Sequence, residues 1–161
     1  MSVAPSTNTE NLALRPLREE ELDQASRLCL RSKAYWGHDA QFLSRCEAEL
    51  ILTRNDLRRG DVIAATGGDL LLGIAQIGYD GEKCFLEKLF VDPEAMGVGT
   101  GRKLFEWAVT TAREKGVAEL IVEADPGAVT FYLKMGCKRA GSVPSGSIPG
   151  RTLPRLVFDM G

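Results

Sequence analysis

The stretch from Leu89 to Phe105, LFVDPEAMGVGTGRKLF, constrains this chain more than any other. An apolar run ends at Asp92-Pro93, and Gly97, Gly99 and Gly101 then alternate with Val98 and Thr100 before Arg102 and Lys103 open a helical pattern. Glycine removes the side chain where a backbone must bend or lie close to something else. The first turn of a helix leaves backbone N–H groups without partners, and the helix dipole places partial positive charge there. Strand, glycine turn and helix start in that order make a site for phosphate or pyrophosphate. The spacing then separates ligands. A dinucleotide fold places GxGxxG early, with an acidic residue about 20 positions on. Here the spacing is GxGxG and lies past the middle, so too little chain follows for the second half of a doubly wound sheet. A triphosphate loop needs GxxxxGK followed by Ser or Thr, whereas Leu104 follows Lys103.

The flanking chain alternates between patterns. Residues 1–10 read as a polar tail, and 11–161 as a single domain. Leu12 to Arg15 reads as a strand ended by Pro16. Leu22, Ala25, Leu28 and Cys29 recur at helical spacing to about Lys33. Asp39 is placed to cap a second helix carrying Phe42, Leu43, Cys46 and Leu50, and Asn55 to Gly60 reads as a polar connection. Val62–Thr66 and Leu70–Ile77 read as a hairpin through Gly67-Gly68-Asp69, with Cys84–Val91 as the strand entering the glycine turn. A helix from about Gly101 to Lys115, a strand from Leu120 to Ala124, a short helix from Ala128 to Met135, and strands at Lys138–Val143 and Leu153–Met160 complete the chain. This order predicts an α/β (α+β) fold with a central mixed sheet, not a regular βαβ repeat.

Composition narrows the partners. A formal net charge of −2 and a pI near 5.5 argue against nucleic acid, which needs a surplus of Lys and Arg on one face. No apolar run approaches the roughly 20 residues of a membrane span. Cys29, Cys46, Cys84 and Cys137 are scattered without a CxxC pair. They read as core residues in a reducing compartment, with the cytoplasm expected and neither a metal site nor a disulfide framework.

LFVDPEAMGVGTGRKLFEWA resembles the acyl-CoA-binding motif of the GNAT superfamily of N-acyltransferases, a strand ending near V-x-P, then Arg/Gln-x-x-Gly-x-Gly/Ala, then a helix. Met96 stands where that family usually has Arg or Gln. Downstream, DPGAVTFYLKMGC from Asp125 to Cys137 is similar to the family's N-x-x-A-x-x-F-Y-x-x-x-G-F, with Asp125 for Asn and Cys137 for Phe. The order of elements agrees across 11–161, as in small stand-alone bacterial members. The resemblance implies a mostly antiparallel sheet of six or seven strands flanked by about four helices. It implies acetyl-CoA as cofactor and acetyl transfer to a primary amine of an unidentified small molecule or peptide. The alternative it leaves is a non-catalytic acyl-CoA-binding or sensor module of the same fold.

By the same resemblance, Leu89, Phe90 and Val91 meet the pantetheine arm through their backbone. The N–H groups of Gly97, Val98, Gly99, Thr100, Gly101 and Arg102 hold the pyrophosphate. Arg102, Lys103 and Lys134 meet the ribose phosphate, with Asp125 at the cofactor side. Tyr132 stands where the family places the tyrosine that protonates the leaving thiolate, and a phenol near pKa 10 suits a thiol. Glu87, on the strand entering the site and expected to share the face of Leu89, is the candidate base, with Glu123 beside it and an ordered water chain as the other option. Tyr35, Trp36 and His38, with Ser145, Ser147 and Arg151, map to the acceptor pocket, and Arg151 leans toward a carboxylate-bearing acceptor. Transfer is expected to be direct, because Cys137 is the one cysteine near a motif. A homodimer through an exposed last strand is possible.

Overall fold

A computed structural model describes residues 12–35, 39–59, 61–146 and 148–161. Seven strands form one sheet in the order β1 (Leu12–Pro16), β2 (Val62–Gly67), β3 (Leu70–Asp80), β4 (Lys83–Val91), β5 (Glu119–Glu123), β7 (Thr152–Asp159) and β6 (Lys138–Pro144). Every neighbouring pair is antiparallel except β4 and β5, which run parallel. Among the described residues five α-helices accompany the sheet: α1 (Leu22–Tyr35), α2 (Ala40–Leu50), α3 (Arg54–Arg59), α4 (Thr100–Glu114) and α5 (Val129–Lys134). The architecture is the expected mixed, mostly antiparallel one.

Both faces of the sheet are covered, and the sequence shows why. In β3, Leu71 through Gly78 are buried without alternation, the pattern of a strand packed on both sides. On one face α1 and α2 supply Ala25, Leu28, Cys29, Cys46 and Leu50 against Val62, Ala64, Leu71 and Ile74. On the other, α4 supplies Leu104, Phe105, Ala108 and Ala112 against β3, β4 and β5. The helix crosses so close that a Cβ on Gly73 would lie 2.8 Å from Leu104 Cδ1 and 3.0 Å from the Phe90 carbonyl oxygen. All four cysteines are buried and none is in a disulfide.

Three sequence expectations change. The segment read as a polar connection contains α3, because Thr53 and Asp56 cap it reciprocally. Thr53 N–H donates to Asp56 Oδ2 at 2.8 Å, and Asp56 N–H to Thr53 Oγ1 at 3.4 Å. β7, the last strand, lies between β5 and β6, so the exposed edge at that end belongs to β6. A bulge between Gln76 and Ile77 leaves Glu87 without a partner on β3, since Gln76 pairs with Lys88 and Ile77 with Leu86. The extra residue inverts the alternation. Leu86 and Leu89 both pack toward α4, while Glu87 turns to α3 and does not share the face of Leu89. Among the described residues no helix is long and apolar enough to cross a membrane.

Candidate active site

The site begins where β4 and β5 part. Only Cys84–Leu120 and Phe85–Ile121 are paired between them, so β4 from Leu86 to Val91 has no strand on its β5 side. The gap opens into a cleft of about 740 Å³ lined by Leu86–Phe90 of β4, Val122–Asp125 at the end of β5, Tyr132 of α5, the end of α2, and the β6–β7 connection.

At the end of β4 the glycine turn leads into α4. Gly97 and Gly99 have φ of 84° and 91°, where a side chain is strained. Thr100 is buried and its hydroxyl donates to the Ala95 carbonyl at 3.3 Å. The first helical bond runs from Lys103 N–H to Gly99 C=O at 3.0 Å. Before it, the N–H groups from Gly97 to Arg102 donate to no acceptor among the described residues. Met96 is half-buried and packs beside Val91, Ala95 and Leu104, an apolar duty that Arg or Gln would not serve. Arg102 and Lys103 are exposed.

The two sequence motifs meet. A Cβ on Gly101 would lie 3.3 Å from the ring of Phe131, so α5 packs directly on the first turn of α4. Phe131 and Tyr132 form an edge-on pair at 5.1 Å, and Tyr132 also meets Phe105 at 5.9 Å. Burial, with the Cys137 thiol adding, pushes the Tyr132 phenol above its usual range. It stays protonated at neutral pH and lines the cleft. Burial also raises Cys137 to about 11, which leaves almost no thiolate for covalent chemistry.

The cleft floor is polar and was missed in the sequence. Asp56 Oδ1 accepts from the buried Gln76 amide at 2.8 Å and from Arg59 at 3.0 Å, and Lys88 Nζ donates to Gln76 Oε1 at 3.0 Å. Burial alone would raise Asp56, but the Gln76 and Thr53 hydrogen bonds and the Lys88 charge outweigh it and the carboxyl lies below its usual value. Both its oxygens are taken. Glu87 Oε2 pairs with Arg59 at 3.2 Å, and Glu87 lines the same cleft. Glu123 also lines it but pairs with Arg155 at 2.9 Å. The signal for this network was the T-x-x-D spacing of Thr53 and Asp56.

Of the sequence candidates, Tyr132, Glu87, Leu89, Phe90, Asp125, Ser145 and Arg151 line one cleft. Val91 packs underneath, Gly97 to Lys103 follow the end of β4 and are off the lining, with Gly101 set against Val91 and Phe131, and Lys134 is exposed on α5. Tyr35 is 58% exposed and off the lining. Arg151 pairs with Asp125 at 3.7 Å. Trp36, His38 and Ser147 lie outside the described residues.

The acetyltransferase (GNAT) domain family matches residues 16–145. The chain belongs to the GNAT acetyltransferase family. This GNAT domain shares 41% identity over 56 residues with the peptidyl-lysine N-acetyltransferase YjaB of Salmonella typhimurium, 35% of this chain and 37% of that protein. The chain thus spans little more than a third of the length of the curated relative it matches. Among solved structures, the PaiA N-acetyltransferase of Thermoplasma acidophilum in complex with coenzyme A superposes with a TM-score of 0.74 at 17% identity, over 92% of this chain and 98% of that one. A GCN5-related N-acetyltransferase from Rhodopseudomonas palustris gives 0.74 at 21%, over 91% and 94%. YncA of Salmonella typhimurium, with its cofactor acetyl-CoA, gives 0.69 at 16%, over 94% and 95%. These likenesses show that the GNAT domain has the fold of its family.

Proposed function

We propose that this chain is an acetyl-CoA-dependent N-acetyltransferase that moves the acetyl group directly to a primary amine. The observation that carries the reading is the run of N–H groups from Gly97 to Arg102 that have no acceptor among the described residues, following β4 beyond the splay whose cleft reaches Tyr132. Such a run suits a pyrophosphate, and the unpaired side of β4 suits an extended amide-bearing arm laid along Leu89, Phe90 and Val91. Arg102, Lys103 and Lys134 offer positive charge for a ribose phosphate. Acetyl-CoA supplies a thioester, which needs placement, a neutral amine and a proton for the departing sulfur. Main-chain N–H at Phe90 or Val91 stabilises the oxygen that gains charge. Tyr132 gives the proton to sulfur, and Glu87, with a carboxylate oxygen to spare, takes one from the amine. The buried cysteines, none of them in a disulfide, support a reducing compartment, the cytoplasm.

Tyr132→Phe tests the reading. It is expected to lower kcat by about 100–10,000-fold, the usual worth of a positioned proton donor, with the acetyl-CoA Kd within about twofold. Unchanged kcat would remove Tyr132 from the chemistry. A wild type that binds acetyl-CoA tightly yet acetylates no amine in a broad panel would instead support a sensor module.

A further inference from the structure

Two cations from opposite walls of the cleft converge on one carboxylate oxygen. Lys33 Nζ of α1 lies 3.3 Å from Asp125 Oδ2, and Arg151, just before β7, lies 3.7 Å from the same atom. These side chains are mostly covered, at 16% exposure for Lys33 and Asp125 and 21% for Arg151. Both cations also face the ring of Phe42 on α2, at 5.7 Å and 4.8 Å from its centroid. The other oxygen of Asp125 accepts the Gly127 N–H at 3.0 Å, in the turn that starts α5 and leads to Tyr132. Arg151 in turn closes the β6–β7 connection: its carbonyl accepts from Ser145 N–H at 2.7 Å, and its N–H donates to the Ile148 carbonyl at 3.2 Å. Ser145 and Gly146 form the cleft wall there.

We infer that Asp125 is a positioning residue, a charged latch that holds the acceptor-side wall in register with Tyr132. Its charge is what the arrangement needs. With a neutral residue there, Lys33 and Arg151 would face Phe42 without the carboxylate they share, and like charges in a partly covered site repel. Arg151, with Ser145 and Gly146 of the cleft wall, would then move away from α1 and α2, while Tyr132 stays seated by Phe105 and Phe131. Asp125 therefore acts on where the acceptor sits, through Arg151 and Lys33, and does not touch the reacting atoms. The inference rests on the N-acetyltransferase reading for its kinetic arm only.

Asp125→Asn keeps the size and the oxygen for Gly127 N–H but loses the charge. The acceptor KM is expected to rise about fivefold or more, with the acetyl-CoA KM within about twofold, as fits loss of a partly covered ion pair. Asp125→Glu is expected to restore most of the acceptor KM, and adding Arg151→Gln to Asp125→Asn to cost little more than either change alone. Limited trypsin digestion without ligand supplies the arm that needs no turnover: cleavage after Arg151 should be several-fold faster in Asp125→Asn than in wild type at matched melting temperature. An equal rise in the acetyl-CoA KM would make Asp125 a cofactor ligand and overturn the latch, as would unchanged acceptor KM with unchanged cleavage. If wild type acetylates no amine yet Asp125→Asn is cut faster, the N-acetyltransferase reading fails and the latch stands.

Discussion

Glu21 is held at about 2, well below the ordinary carboxylate value, first by its hydrogen bonds from Arg15; partial burial opposes this, and the Arg18 N–H and both arginine charges add to it. The pair is bidentate, at 2.8 Å and 2.7 Å, and ties β1 to the turn that starts α1. A folded value below the unfolded one means the contribution is fully present above pH ~4.5 and is lost as pH falls toward ~2. Glu21→Gln is therefore expected to cost about 1–2 kcal/mol at pH 7 after allowance for solvent screening, the gap narrowing below pH ~4. Urea melts at pH 7 and pH 3 check this. An equal gap at both would show that the charge is not what matters. At this same scale Gly97 and Gly99 were legible in the sequence, because a left-handed backbone angle is a local demand that glycine answers. The duty of Met96 was not, since it depends on Val91, Ala95 and Leu104 arriving from elsewhere in the fold.

Elements were legible where periodicity was strong and opaque where polar residues carried the structure. α4 announced itself through Leu104, Phe105, Ala108 and Ala112, while RNDLRR of α3 offers no apolar face and buries no residue. What holds α3 in place is Asp56, whose carboxylate satisfies the amide of Gln76, a residue only 1% exposed. Asp56→Ala is expected to destabilise the protein by about 2–3 kcal/mol, since it leaves a buried donor unpaired. Chemical denaturation measures this, and a loss under about 0.5 kcal/mol would mean that water replaces the carboxylate without penalty. The bulge at Glu87 was equally hidden, because strict alternation is the only parity a strand sequence displays. It is nevertheless the reason Glu87 and Leu89 serve different faces, one toward Arg59 and the other toward α4.

For the molecule as a whole, the fold class was readable from the order of elements, but the position of β7 between β5 and β6 was not, since strand order is set by long-range pairing. Strand addition by a second copy at that end would have to use β6, which is blunted by the irregularity between Arg139 and Ser142, by Gly141 at φ 98° and by Pro144. The interior seam is the more open one. Beyond Phe85 and Ile121 none of the described residues pairs with β4 on its β5 side. Amides between Leu86 and Val91 that point into this gap should trade their protons with solvent orders of magnitude faster than those of the β2–β3 hairpin, the one fast-exchanging stripe in the middle of a protected sheet. Saturating acetyl-CoA should slow that stripe about tenfold or more. A stripe whose isotope uptake ignores acetyl-CoA would mean the arm lies elsewhere. The break in pairing that makes room for chemistry thus gives the protein a built-in clock, readable by mass spectrometry before any acceptor is known.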